Sequence, residues 1–135
     1  MGIGAATRSC PAMILVDTSI WIDHKRGADQ HLNYLLTQNE VAVHPFVIGE
    51  LACGSLTDRK AFLELLRGLP QVASAVDEEV LFFIEIHRLF GRGAGFIDFH
   101  LMAAATLAGI QFWTRDKRLT QIAADLQIAY LPPKI

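Results

Sequence analysis

Cysteine is nearly absent from this chain of 135 residues, which contains only Cys10 and Cys53. Two cysteines so far apart, with no CxxC pair and no Cys/His cluster, exclude a zinc ribbon and a disulfide framework. Such sparse cysteine is typical of a protein that works in a reducing compartment. We therefore expect a cytoplasmic location.

Long hydrophobic runs are absent as well. The longest stretch without Asp, Glu, Lys or Arg covers residues 99–114, and it is interrupted by His100, Gly109 and Gln111. A membrane-spanning helix needs about 20 mostly apolar residues, so the sequence predicts no membrane span. No apolar segment precedes Pro11, and we therefore expect no secretory signal.

An excess of basic residues is also missing. The formal net charge is −2, from 12 Lys and Arg against 14 Asp and Glu, which excludes a purely electrostatic nucleic-acid binder. Net charge does not exclude nucleic acid as a substrate, because carboxylates that bind a metal ion no longer repel phosphate. With four of them set aside as ligands, 12 basic residues face 10 acidic ones.

Hydrophobic residues make up 52% of the sequence, which predicts one compact domain with a substantial core. We place this domain at residues 13–135. Residues 1–12 are small, polar and rich in glycine, and we predict that they form a disordered extension outside the fold.

From Met13 onward, short apolar runs alternate with helical patterns. The predicted strands are MILVD, VAVH, IQFWT and IAYL, and the predicted helices span residues 19–25, 29–38, 45–56, 58–69, 77–90, 97–108 and 116–126. Apolar strands separated by helices indicate an α/β fold with a mainly parallel sheet covered by helices. In such folds ligands bind beyond the carboxyl ends of the strands.

Four acidic residues lie within apolar segments, where a soluble domain usually has hydrophobic side chains. They are Asp17, Glu50, Asp98 and Asp116. A buried carboxylate needs a partner, because desolvating an unpaired charge is costly. A shared divalent cation is the simplest countercharge, and carboxylate oxygens suit Mg²⁺ or Mn²⁺.

Each of these acids also has a purely structural interpretation. Asp17, Asp98 and Asp116 stand at the starts of predicted helices, where a carboxylate can cap the backbone. Glu50 shares a helix face with Val47, so its structural alternative is a buried salt bridge.

Carboxylates that hold a cation would suit the hydrolysis of a phosphodiester, because the cation lowers the pKa of its bound water and neutralises phosphate oxygens. The hydroxyl groups of Thr18, Ser19 and Thr114 are next to the acids in sequence and could orient them. Arg115 could bind a substrate phosphate. Capping, turn formation or simple solvation are the alternatives for these polar residues.

Four segments together resemble one known family. VDTSIWID, GELACG, GFIDFHLMAAATLAG and FWTRDKRL are similar, in this order, to motifs of the PIN-domain ribonucleases, and within these to the VapC-type toxins of bacterial toxin–antitoxin modules. The similarity covers residues 13–131. It implies a PIN-like three-layer α/β/α fold around a central, mainly parallel sheet.

The resemblance implies a function too: endonucleolytic cleavage of RNA, dependent on Mg²⁺ or Mn²⁺, by the toxin of a type II toxin–antitoxin system. It assigns the four acidic ligands, which are also the catalytic residues, to Asp17, Glu50, Asp98 and Asp116. Ser19 and Thr114 match hydroxyl positions that line the family's site, and we expect these two residues and Arg115 to bind the substrate. Implied partners are the RNA substrate, a VapB-type antitoxin whose C-terminal segment covers the site, and a second copy of the chain in a homodimer.

Two other functions stay open at this point. A non-catalytic PIN-like module would bind RNA or protein without metal-dependent turnover. A phosphoacceptor signalling domain would need a second acid after the first strand, where Thr18 stands.

A surface for a partner protein is a further expectation. Large apolar side chains that could form it occur at Ile20, Trp21, Ile22, Phe46 and residues 81–90. Their alternative is an ordinary place in the core.

Overall fold

The computed structural model describes residues 13–133, and the extension predicted for residues 1–12 lies outside this part of the chain. The elements follow the predicted alternation of strands and helices. In chain order they are β1 (Ile14–Val16), α1 (Thr18–Arg26), α2 (Gln30–Thr37), β2 (Val41–Ala42), α3 (Pro45–Ala52), α4 (Arg59–Arg67), α5 (Asp77–Ile86), α6 (Phe96–Ala108), β3 (Gln111–Trp113) and α7 (Lys117–Asp125).

The sheet has the order β2-β1-β3, and both pairings are parallel. Val16 at the end of β1 pairs with Trp113 at the end of β3. The N–H group of Asp17 then donates to the carbonyl of Trp113 at 2.9 Å. The carboxyl ends of these two strands therefore meet at one edge, as parallel pairing requires, and Asp17 and Thr114 emerge side by side.

The prediction that IAYL forms a fourth regular strand is wrong. Only Ala129 forms a bridge, to Phe112 of β3. Gln127 just before it has a positive φ of 63°, which breaks the extended backbone, and Pro132 and Pro133 after it have no N–H group to donate to a ladder.

Two helices end about four residues earlier than predicted. Helix α3 stops at Ala52 and is followed by Cys53 and Gly54, whereas the apolar pattern continues to residue 56. Helix α5 stops at Ile86, because the chain turns through Arg88 with φ 53°. Hydrophobic periodicity alone does not register either turn.

Helix α6 is the most deeply buried helix. Seven consecutive residues, 99–105, are buried, as expected where the middle turns of a helix pack on all sides. Ile20, Trp21, Phe83 and Leu89 also belong to the core, so the core alternative holds for these four members of the expected partner surface. Among residues 13–133, no helix is long and apolar enough to cross a membrane.

Candidate functional site

Asp17 is buried at the end of β1, and its carboxylate is held by two hydroxyl groups. Oδ2 accepts a hydrogen bond of 2.9 Å from Ser19 Oγ and one of 2.8 Å from Thr114 Oγ1. Although Asp17 occupies the N-cap position of α1, its side chain makes no capping hydrogen bond. The capping interpretation therefore does not explain this residue. Both hydroxyls instead fix the direction of the carboxylate.

Asp98 lies in the first turn of α6 and is partly buried. Its Oδ2 accepts a hydrogen bond of 2.9 Å from the N–H group of Gly95. Burial raises the pKa of Asp98; the Gly95 hydrogen bond opposes this shift, and the negative charges of Asp17 and Asp116 add to it. Asp17 and Asp116 are therefore close enough to Asp98 for their charges to raise its pKa.

Asp116 is the N-cap of α7, as its structural interpretation proposed. Its Oδ1 accepts from the N–H groups of Arg118 at 2.8 Å and Leu119 at 3.2 Å. Its own N–H group donates to Thr114 Oγ1 at 3.1 Å. Capping and metal binding do not exclude each other here, because the cap uses one carboxylate oxygen only.

Glu50 stands on α3 and is exposed, so the expectation that it shares the buried helix face is wrong. Val47 and Leu51 occupy that face, and Glu50 lies on its flank. There, Oε1 accepts a hydrogen bond of 3.0 Å from Thr18 Oγ1. Since Thr18 directly follows Asp17, this hydrogen bond places Glu50 next to the start of α1, where Asp17 lies.

The four carboxylates share two properties. None of them takes part in an ion pair within residues 13–133. Each has one oxygen that accepts no hydrogen bond from this part of the chain: Asp17 Oδ1, Glu50 Oε2, Asp98 Oδ1 and Asp116 Oδ2. Anionic oxygens without a cationic partner are the ligand atoms that Mg²⁺ and Mn²⁺ prefer.

The side chains do not form a closed cage. Over the described residues, no group of three or more His, Cys, Asp or Glu side chains is arranged to hold a metal ion. The negative charges of the four carboxylates repel one another, and each carboxylate accepts hydrogen bonds from its own neighbours. The carboxylate oxygens thus fit a hard divalent cation chemically, and closing around one would need side-chain rotations.

The guanidinium of Arg115 points away from these carboxylates. Its Nε donates to Asp23 Oδ2 at 2.7 Å and its Nη2 to Asp29 Oδ2 at 2.6 Å. Burial would lower the pKa of Arg115, but the hydrogen bonds and charges of the two aspartates raise it. Only its backbone faces the site, where the N–H group donates to Ser19 Oγ at 3.1 Å. Its contact with substrate stays a prediction.

Sequence reasoning did not single out Asp23 and Asp29, which fix Arg115 against α1 and α2. For Asp29 a signal existed, because it opens a predicted helix; Oδ1 does cap that helix through the N–H group of Leu32 at 2.9 Å. No local signal indicated that its other oxygen would bind an arginine 86 positions away.

Residues 14–125 match the PIN domain family, and the chain belongs to this family. Among its relatives is the protein named Ribonuclease VapC32 in two strains of Mycobacterium tuberculosis. In both cases the identity is 46% over 118 residues, which is 87% of this chain and 95% of the relative. The chain is thus a VapC-type PIN-domain protein, and the phosphoacceptor alternative is excluded.

Solved structures with the same fold are more distant in sequence. PAE2754 from Pyrobaculum aerophilum superposes with a TM-score of 0.58 at 18% identity, covering 88% of each chain. FitAcB from Neisseria gonorrhoeae gives 0.58 at 16% identity, covering 87% of this chain and 95% of that one. FitAB bound to an IR36 DNA fragment gives 0.57 at 13% identity, covering 87% and 92%. The predicted PIN-like α/β fold is confirmed.

Proposed function

We propose that this protein is an endoribonuclease, the VapC-type toxin of a type II toxin–antitoxin module, and that it acts in the cytoplasm. Its 46% identity to Ribonuclease VapC32 over most of both chains supports this activity. The observation that carries the assignment of the site is the set of Asp17, Asp98 and Asp116. Thr114 Oγ1 joins Asp17 and Asp116, the charges of these two act on Asp98, and none of the three has a cationic partner within residues 13–133.

The residues that would hold the cation are Asp17, Glu50, Asp98 and Asp116. PIN-domain ribonucleases generally use a divalent metal, and the oxygen donors favour Mg²⁺ or Mn²⁺ here. When bound, such an ion lowers the pKa of a water molecule and neutralises charge on the phosphate oxygens.

The hydroxyl groups around the acids have an orienting role in this proposal. Ser19 and Thr114 each donate a hydrogen bond to Asp17 Oδ2. Because these two bonds fix the orientation of the carboxylate, they also fix the direction of Oδ1. Thr18 does the same for Glu50. Ligand orientation of this kind is worth about 10- to 100-fold in metal affinity or activity. Ser19 and Thr114 therefore act on the reaction through Asp17. Their direct contact with the substrate is a separate part of this proposal.

Glu50 and Glu64 offer a matched test, because both are exposed helical glutamates and only Glu50 belongs to the site. The protein, freed of any bound partner, is incubated with RNA and Mg²⁺ or Mn²⁺, with and without chelator. We expect cleavage that the chelator abolishes, a large loss of rate in Glu50→Gln, and the parent rate in Glu64→Gln. An Asp98→Ala protein that stays folded and cleaves at the parent rate would contradict the proposal.

A non-catalytic binding module is the second candidate, and the absence of a closed cage among the described residues favours it. It predicts RNA binding without metal-dependent turnover. The same incubation separates the two candidates, because intact RNA in the presence of Mn²⁺ would leave only the binding function.

Two protein partners belong to the proposal. VapC toxins pair with VapB antitoxins, and we expect one here to cover the acidic edge. We also propose a homodimer, which the exposed apolar face of α5 and α6 supports: Phe82 is 65% and Leu107 67% exposed, and with Ile86 they line a groove. Sedimentation of Phe82→Glu should show a monomer where the parent protein is a dimer.

A further inference from the structure

A cleft of about 300 Å³ opens beside Glu50. Its walls are the last turn of α1, with Lys25 and Arg26, the end of α3, with Glu50, and the segment before α4, with Thr57. Glu50, one of the proposed metal ligands, lines this cleft. A strand of substrate held at the carboxylate edge therefore has the cleft beside it.

The cleft carries more positive than negative charge. Glu50 is the only acid among its lining residues, and a bound cation would neutralise it. Within residues 13–133, Lys25 and Arg26 take part in no ion pair, whereas Arg115 and Arg92 do. Two cations free of carboxylates next to the proposed reaction centre attract an anionic ligand.

Lys25 is also held in place. Its Nζ donates to the carbonyl of Thr57 at 3.2 Å and lies over the ring of Phe62, 4.8 Å from the centroid. An ammonium group has three N–H donors, so the remaining ones stay available. Because the side chain is already ordered, binding a phosphate costs it less conformational entropy than it would cost a free lysine.

A simpler role exists for both residues. Cations in the last turn of a helix stabilise it through the helix dipole, and Lys25 and Arg26 lie in the last turn of α1. That role would affect the stability of the fold and leave RNA affinity unchanged. The two roles therefore differ in a measurable way.

We propose that Lys25 and Arg26 bind backbone phosphates of the RNA strand, next to the phosphate that is cut, and that the cleft guides the substrate to the acidic edge. This inference rests on the proposed function. The cleft is the surface that holds the uncut part of the RNA strand. The contacts are to phosphate, so they carry affinity without reading the base sequence.

The test compares two double variants with the same change of charge. Lys25→Gln/Arg26→Gln alters the cleft, and Lys60→Gln/Arg67→Gln alters exposed cations of α4 that do not line it. Binding of a labelled single-stranded RNA of mixed sequence is measured by fluorescence anisotropy in chelator, over a range of salt concentrations. We expect the cleft variant to bind about tenfold more weakly, with a log–log salt slope lower by about 1.4, since each lost phosphate contact accounts for about 0.7.

The control variant should lose much less affinity. Equal losses in both double variants, or an unchanged salt slope in the cleft variant, would overturn the inference. Thermal unfolding of the same samples measures the helix-dipole role separately. Lys25→Arg keeps the positive charge at this position, and it should therefore bind RNA more tightly than the cleft variant.

Cleavage assays distinguish this inference from the proposed function. If the parent protein cuts RNA and the cleft variant shows an increase in KM larger than its loss in kcat, both hold. If the parent cuts RNA and the cleft variant binds it normally, the cleft inference alone fails. If the parent never cuts RNA but the cleft variant still binds it more weakly, the nuclease proposal alone fails. Loss of antitoxin binding with normal RNA binding would assign the cleft to a protein partner and overturn the inference.

Discussion

Thr114 Oγ1 donates a hydrogen bond of 2.8 Å to Asp17 Oδ2 across 97 positions of the chain. The same hydroxyl oxygen accepts from the N–H group of Asp116 at 3.1 Å. One buried hydroxyl group therefore connects the ends of β1 and β3 and holds two of the four proposed metal ligands. No other side chain among residues 13–133 links two of these acids in this way.

Thr114→Val should weaken both the fold and the site. Valine has the shape of threonine but no hydroxyl, so the buried Asp17 carboxylate loses a donor, at a cost of about 1–3 kcal/mol. Urea denaturation measures this cost, and RNA cleavage should fall in parallel. Thr114→Ser keeps the hydroxyl and should stay close to the parent protein in both assays. A valine variant of unchanged stability would show that the hydrogen bond contributes little.

Asp98→Asn should separate activity from stability. Asparagine can still accept the hydrogen bond from Gly95, but it removes a partly buried charge that Asp17 and Asp116 repel. In metal-free buffer we expect the free energy of unfolding to be equal or higher, while cleavage falls by about a hundredfold or more.

The pH dependence of this variant has a defined sign. Because the pKa of Asp98 is raised in the folded state above the ordinary 3.8, its carboxyl stabilises the fold below that value, and this contribution is lost as the pH rises through the raised pKa. The stability advantage of Asp98→Asn should therefore be absent in strong acid and grow with pH. A constant difference across the titration would contradict the raised pKa.

Arg115→Gln tests where the charge of this residue acts. The guanidinium is 42% exposed, so losing its two ion pairs should cost less than about 1 kcal/mol. Because Asp23 and Asp29 already neutralise it, we expect the salt slope of RNA binding to stay unchanged. A slope lower by about 0.7 would instead confirm the substrate contact expected from the sequence.

His44 should make the fold sensitive to mild acid. It is fully buried at the N-cap of α3, where Nδ1 accepts from the N–H group of Phe46 at 2.9 Å. Burial, and to a lesser extent the charge of His100, lowers its pKa from 6.5 to about 4. Between these values the unfolded chain binds a proton that the folded chain does not, so stability falls as the pH drops, by roughly 3 kcal/mol at pH 4.

His44→Asn is the matched variant for this measurement. Asparagine keeps a side-chain acceptor for the N-cap and removes the titrating ring. Chemical denaturation at pH 7 and pH 4.5 should show a smaller loss of stability in this variant than in the parent. Equal losses would assign the acid sensitivity to other groups.

The sequence was sufficient for the features that depend on local pattern. Apolar runs and helical periodicity placed β1, β3 and α6 to within a few residues, because most residues of these segments are buried. Parallel pairing then followed from the alternation of strands and helices, and it brought Asp17 and Thr114 to the same edge.

Features that depend on distant partners could not be predicted. Helical spacing placed Glu50 near the buried residues Val47 and Leu51 of α3. It did not show whether Glu50 lies at the centre of this buried face or on its flank, and only a residue at the centre would be buried. The direction of Arg115 depends on Asp23 and Asp29, which lie 92 and 86 positions away. The pairing of residues 128–131 depends on a backbone turn at Gln127 that no residue preference signals.

The parallel pairing of β1 with β3 also makes the acidic edge depend on the long segment between these strands. Asp17 and Thr114 lie 97 positions apart, so the contacts that assemble the acidic edge are non-local and form slowly. An unfinished nascent chain therefore has no complete centre. In this topology Asp17 gains its hydrogen bond from Thr114 only after β3 has been made and has paired with β1.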